Sequence, residues 1–218
     1  MKRVLIVEDK HADLVAELCL GIFETTTATT LEEALTRLDG IDGVITDILF
    51  PRQQGGQLEP CGIEIAKECK RRGTPFQMAT GHHEEGEVGH SFHEIFAKLV
   101  MVNATGMCYE MTGRLQCPGI ATGAENPPSG HKITLAHICK TDACQWTTII
   151  ARLGNALGMD PTEVCRGVLE HLKSPGSHTE KYIAESARKC CGGTAEWLME
   201  VYTERIEDRI KNGKLFIS

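Results

Sequence analysis

A doubly wound α/β sheet is the fold class this sequence predicts, and three observations predict it. Short apolar runs rich in β-branched residues recur along the chain up to Lys140, stretches with helical spacing separate them, and several of the runs end on a polar or acidic side chain. Runs too short for a helix and apolar on both faces read as buried strands. Strands that alternate with helices close into a parallel sheet through right-handed crossovers. Ligands of such sheets sit beyond the carboxyl ends of the strands. The residues ending the runs, Glu8, Asp9, Asp47 and Thr80, are therefore the candidates for chemistry.

Taken in order, Lys2-Arg3-Val4-Leu5-Ile6-Val7 is the first strand, and Glu8 and Asp9 follow at once. Leu14, Val15, Leu18 and Ile22 give residues 11–23 helical spacing. Thr30-Leu31-Glu32-Glu33 is a capping box opening a helix through Leu38, with Leu31, Ala34, Leu35 and Leu38 on one face. Gly43 to Ile48 is a further buried strand carrying Asp47 near its end. Gly62 to Arg72 is amphipathic, Gly73-Thr74-Pro75 stops it, and Phe76 to Ala79 is the fourth-strand candidate, ending at Thr80. Residues 84–132 are less regular: one amphipathic stretch, Ser91 to Asn103, then a Gly/Pro-rich run ending in Glu125-Asn126-Pro127-Pro128-Ser129-Gly130. Connections this long are usually functional or mobile. Lys132 to Lys140 reads as the fifth strand, with a helix from about Asp142 to Leu157.

Beyond Gly158 the pattern is purely helical. Asp160-Pro161-Thr162-Glu163 is an N-cap with proline at the first helical position, Ser177-His178-Thr179-Glu180 reads as a second capping box, and Thr194 caps a third helix. These predict an α-helical extension over 158–218 behind a domain of residues 1–157. Each apolar stripe must be covered by its neighbours, by the sheet domain, or by a second copy in a homodimer. On the last helix, Trp197, Leu198, Val201, Tyr202 and Ile206 are expected to be inside, with Glu204, Glu207, Asp208 and Lys211 in water.

Composition narrows the classes. The chain has 218 residues, is 41% hydrophobic and 24% charged, and carries a formal net charge of −7. That balance suits a soluble globular protein and opposes non-specific binding to phosphate backbones. The first apolar run, Val4 to Val7, runs straight into Glu8 and Asp9, so it is neither a membrane span nor a signal segment. A cytoplasmic location, with no membrane partner, is the expectation. Ten cysteines without a C-x-x-C pair fit buried, reduced thiols.

Together these residues resemble the receiver domains of two-component response regulators. Val4-Leu5-Ile6-Val7-Glu8-Asp9 looks like the family's first strand with its acid pair. Asp47-Ile48-Leu49-Phe50-Pro51 is similar to the phosphoacceptor followed by three residues and a proline. Gly62-Ile63-Glu64-Ile65 looks like the glycine opening the third helix, and Ala79-Thr80-Gly81-His82 like the fourth-strand hydroxyl with its small neighbour. Lys140, ending the fifth strand, would be the family's lysine, in preference to Lys98, which lies in a helical stretch. The resemblance implies a five-stranded, flavodoxin-like parallel sheet ordered 2-1-3-4-5. It covers roughly residues 1–155 and departs from the family in four places. Residues 52–61 and 84–132 are insertions, the interval from Glu8 to Asp47 is short and implies an abbreviated first helix, and Thr141 stands where the family has proline.

The chemistry explains why these residue types belong together. A carboxylate attacking phosphorus meets a group already rich in negative charge, and a hard divalent cation offsets the repulsion. By resemblance Asp9, Asp47 and the backbone carbonyl of Leu49 would hold Mg²⁺, and Glu8 would act through water. Thr80 would hydrogen-bond a phosphoryl oxygen, and Lys140 would neutralise another. The resemblance thus implies a receiver phosphorylated on Asp47 by a histidine kinase or phosphotransfer protein, which then switches a downstream protein target. A catalytically silent pseudo-receiver, binding a partner through its insert and tail, is the competing class.

Other constellations carry less. His82, His83, His90 and His93, with Cys108 and Cys117 beyond them, match no closed zinc-site spacing and read as solvated loop residues. His137, Cys139 and Cys144 read as incidental to the strand and helix that hold them. A DNA-binding output is disfavoured, because residues 156–218 hold nine Lys/Arg against ten Asp/Glu.

Overall fold

The computed structural model describes residues 1–80, 107–112, 131–137, 143–188 and 193–213; for Thr80, 107–112, 131–137 and 144–145 it describes the backbone alone. In chain order the strands are β1 (Lys2–Val7), β2 (Phe23–Ala28), β3 (Gly43–Asp47), β4 (Phe50–Pro51), β5 (Leu58–Glu59), β6 (Phe76–Thr80), β7 (Met107–Thr112) and β8 (His131–His137). The helices are α1 (Ala12–Leu18), α2 (Leu31–Arg37), α3 (Cys61–Arg72), α4 (Ala143–Ala156), α5 (Pro161–Lys173), α6 (Ser177–Ser186) and α7 (Ala195–Lys211).

Strands β2, β1, β3 and β6 lie side by side and parallel, with helices on both faces, an α/β arrangement compatible with the flavodoxin-like class. The backbone of β8 pairs with β6, and β7 pairs beyond it, so the sheet runs β2-β1-β3-β6-β8-β7. β7 falls inside residues 84–132, where the sequence suggested an irregular insert and no strand. Residues 52–61, expected to be an insertion, include β5, which pairs antiparallel with β4 just before them. Arg52 fastens this ribbon, pairing with Glu64 at 2.5 Å and Glu59 at 3.7 Å.

Alternation along the strands divides the core into two layers. Val4, Ile6 and Ile45 face α1 and α4, whereas Leu5, Val7 and Val44 face α2 and α3. All six are buried, as strands sandwiched between helix layers must be. α2 opens as expected: Thr30 Oγ1 accepts from Glu33 N–H at 3.3 Å, while Glu33 reaches back to Thr29 N–H at 2.8 Å. Leu35, expected inside, is 39% exposed, because Leu31, Ala34 and Leu38 already fill the inner stripe and Leu35 lies a quarter turn off it.

The helix expected over residues 11–23 stops at Leu18, in keeping with the abbreviated first helix. Cys19 and Leu20 turn the chain, and Phe23 enters β2, an edge strand whose Glu24-Thr25-Thr26-Thr27 leaves only its two ends fully buried. It carries no apolar run, which is why a strand was not evident there.

The C-terminal helices pack on α1 and α4 as well as on one another. Val164, Val168, Leu172, Ile183, Leu198, Tyr202 and Ile206 share one buried cluster with Leu14, Val15, Leu18, Ile149 and Leu153. Two local expectations need correction. Trp197 is 46% exposed and Val201 only half-buried, since Leu198, Tyr202 and Ile206 form the inner stripe of α7 and both fall beside it. Ser177 does not cap α6: Gly176 holds the cap position, and the donors are met by Glu17 of α1. The Glu17 carboxylate accepts from His178 N–H at 3.1 Å, Thr179 N–H at 2.8 Å and Thr179 Oγ1 at 2.7 Å. Asp160 does cap α5 as expected, accepting from Thr162 N–H at 2.8 Å.

Candidate metal centre

The sheet register puts the carboxylates together. Val7 of β1 is level with Thr46 of β3, so the next residues, Glu8 and Asp47, lie side by side where neighbouring strands end. Asp9 follows Glu8 out of β1. One ligand oxygen from each of Glu8, Asp9 and Asp47 lies within 4.8 Å of the other two, the one such group of potential metal ligands among the described residues. Glu8 and Asp47 are buried and Asp9 is half-buried.

Local bonds fix Asp47. Asp47 Oδ1 accepts from Ile48 N–H at 2.7 Å, and the Asp47 carbonyl accepts from Thr46 Oγ1 at 2.8 Å. Gly62, at the start of α3, donates its N–H to the Ile48 carbonyl at 3.1 Å, drawing the helix against this strand end. Glu8 Oε1 accepts from Lys10 N–H at 3.2 Å and lies 3.3 Å from His11 Nδ1.

Three carboxylates at the mouth of a parallel sheet offer the oxygen donors that hard divalent cations prefer. Glu8, Asp9 and Asp47 could together hold a metal ion.

The remaining expected residues are placed less fully. Leu49 is buried two positions after Asp47. Thr80 ends β6 one residue beyond Ala79, which is level with Asp47, so its backbone sits on the strand next to the carboxylates. His137, the last residue of β8, is level with Thr80. Lys140, the alternative Lys98, Cys139 and the histidines from His82 to His93 lie outside the described residues, as does the side chain of Cys144.

Two residues that the sequence reading passed over belong to this surrounding: His11, three positions after Glu8, and Tyr182 of α6, whose ring meets that of His11. The i, i+3 spacing of Glu8 and His11 was a usable signal; Tyr182, from the far end of the chain, had none.

The described thiols offer no nucleophile. Cys19, Cys61, Cys69 and Cys165 are free and buried. Burial pushes Cys61 and Cys165 up to about 11 and Cys69 up to about 12, and it raises Cys19 too. A thiol so far from ionising does not attack at neutral pH. No helix among the described residues is long and apolar enough to cross a membrane. Compared with known proteins, no family model and no curated sequence matches this chain.

Proposed function

We propose that this protein is a receiver in phosphoryl-dependent signalling, accepting a phosphoryl group on Asp47 beside a bound Mg²⁺ and switching a protein partner. The observation that carries the reading is the convergence of Glu8, Asp9 and Asp47 at the ends of β1 and β3. The resemblance of Asp47 to Pro51 and of the Glu8-Asp9 pair to response-regulator receivers supports the same assignment.

In the transfer, a carboxylate oxygen of Asp47 forms a bond to phosphorus. The bond from phosphorus to the donor's nitrogen or oxygen breaks, and the donor leaves with the electron pair. A bound divalent cation supplies the positive charge that lets an anionic carboxylate approach an anionic phosphoryl group. Asp9, Asp47 and the Leu49 carbonyl would hold that ion, with Glu8 acting through water. Thr80 would donate to a phosphoryl oxygen, and Lys140 would pair with another. The product adds roughly −1.5 to −2 charges at the sheet edge, and the pull on Thr80 and Lys140 turns that charge into a change of shape. The donor would be a histidine kinase or phosphotransfer protein, and the target another protein.

The test is intact mass after incubation with Mg²⁺ and acetyl phosphate or phosphoramidate. One added phosphoryl mass is expected, lost on Asp47→Asn and on chelation of the metal. No added mass in a protein shown to bind the metal would favour the silent pseudo-receiver adaptor instead.

A further inference from the structure

Glu8 is held by more than its strand. Lys10 N–H and His11 Nδ1 converge on the same oxygen, Oε1, at 3.2 and 3.3 Å. Against an ionised Glu8 carboxylate, which only accepts, the bond requires the tautomer with its hydrogen on Nδ1. His11 occupies the N-cap position of α1, yet its side chain makes no capping bond. It turns back to Glu8 instead. The ring of Tyr182 then meets it edge to face, with centroids 5.1 Å apart and planes at 87°. Tyr182 lies on α6, whose N-terminus is fastened to α1 by the Glu17 cap.

We infer that His11 is a positioning residue for the proposed metal and phosphoryl site, and that α6 is part of the site through Tyr182. The inference rests on the phosphoryl-accepting reading above. Two donors on one oxygen stop the Glu8 carboxylate from rotating, and the ring contact stops His11 from leaving it. Groups that orient a ligand carboxylate from behind belong to a metal site as much as the carboxylate does. The coupling runs both ways: whatever factor a docked α6 adds to cation affinity, the cation adds to the docking of α6. The C-terminal helices therefore sense the state of the pocket through one imidazole.

The experiment is a titration of the full chain with Mn²⁺, followed by the magnetic resonance signal of the free ion. His11→Phe keeps a ring against Tyr182 but removes the donor, and it should weaken Mn²⁺ binding about tenfold. His11→Asn puts an amide N–H near the Nδ1 position and should recover most of that loss. Tyr182→Leu should weaken binding in the same direction, although Tyr182 is not a ligand. Equal affinity in the wild type and all three variants would overturn the role of His11 and leave the metal reading standing. A loss in His11→Phe that His11→Asn does not recover would trace to packing and would also overturn it. A wild-type chain that binds no Mn²⁺ at millimolar concentration would overturn the metal reading itself, and this inference with it.

Discussion

A Cβ on Gly62 would stand 2.0 Å from the carbonyl oxygen of Asp47 and 2.9 Å from the Cα of Ile48. Both are backbone atoms at the end of β3, so neither yields without moving the strand that presents Asp47. Gly62→Ala is expected to cost about 2–3 kcal/mol, in the range of an overpacked core. Displacing Asp47 should also weaken Mn²⁺ binding. Urea unfolding and the Mn²⁺ titration check the two effects, and an unchanged midpoint would contradict the close approach.

Asp47→Asn removes one of three carboxylates whose ligand atoms lie within 4.8 Å of one another. In metal-free buffer the variant should be more stable than the wild type by on the order of 1 kcal/mol, because like charges no longer face each other. Added Mg²⁺ should raise the melting temperature of the wild type and leave the variant nearly unmoved. Thermal melts with Mg²⁺ and with a chelator measure both. A variant that responds to Mg²⁺ like the wild type would place the cation elsewhere.

Acid should loosen the contact between α1 and α6 in two stages. Burial lowers the pKa of His171, and the nearby Glu17 charge only partly offsets it, so the net direction is down from 6.5. Burial alone would raise Glu17, but the bonds from Thr179 and His178 outweigh it, and its carboxyl ends below its ordinary 4.5. For both groups the unfolded chain takes up protons first, so stability falls as pH falls. His171 contributes the loss that begins near pH 6.5, and Glu17 the loss that begins near pH 4.5. Urea unfolding across pH should show His171→Gln with a flatter profile than the wild type in the upper window. Glu17→Gln should be less stable at neutral pH by about 1 kcal/mol, the usual worth of a helix cap, with the gap narrowing in the lower window. Parallel profiles for wild type and Glu17→Gln would deny the carboxylate its capping role.

The last helix separates inner from outer residues sharply. Ile206 is 1% exposed, so Ile206→Ala should cost about 2–5 kcal/mol as a core truncation. Trp197→Ala, at the half-exposed position, should cost under about 1 kcal/mol despite the larger side chain. Removing everything after Leu157 would strip the cover from Val15, Leu18 and Ile149. The truncated chain should aggregate or melt without cooperativity. Urea unfolding and sedimentation test these, and a truncated chain as soluble and stable as the full one would contradict the shared core.

What was legible in the sequence was local. Buried strands such as β1 and β3 announce themselves as apolar runs, and their last residues named the three carboxylates. Thr30 and Asp160 cap the helices that follow them with their own side chains, so a four-residue motif sufficed. The edge strand β2 escaped because its middle faces outward and holds threonines, whose β-branching was the one available signal. Ser177 misled because its motif is complete, yet a carboxylate from another helix reached the same donors first. Trp197 misled because size suggests burial, whereas position around the helix decides it.

The cap that Glu17 places on α6 bears on how the chain comes to be folded. Its partners His178 and Thr179 lie 161 and 162 residues downstream. The outer face of α1, with Leu14 and Leu18, is covered by α5 to α7, which are the last helices to be synthesised. Contacts this distant along the chain slow the search for the native state and leave apolar surface open meanwhile. The first helix to be made thus has its cover supplied by the last segments of the chain, and a chain synthesised only as far as α5 lacks part of that cover.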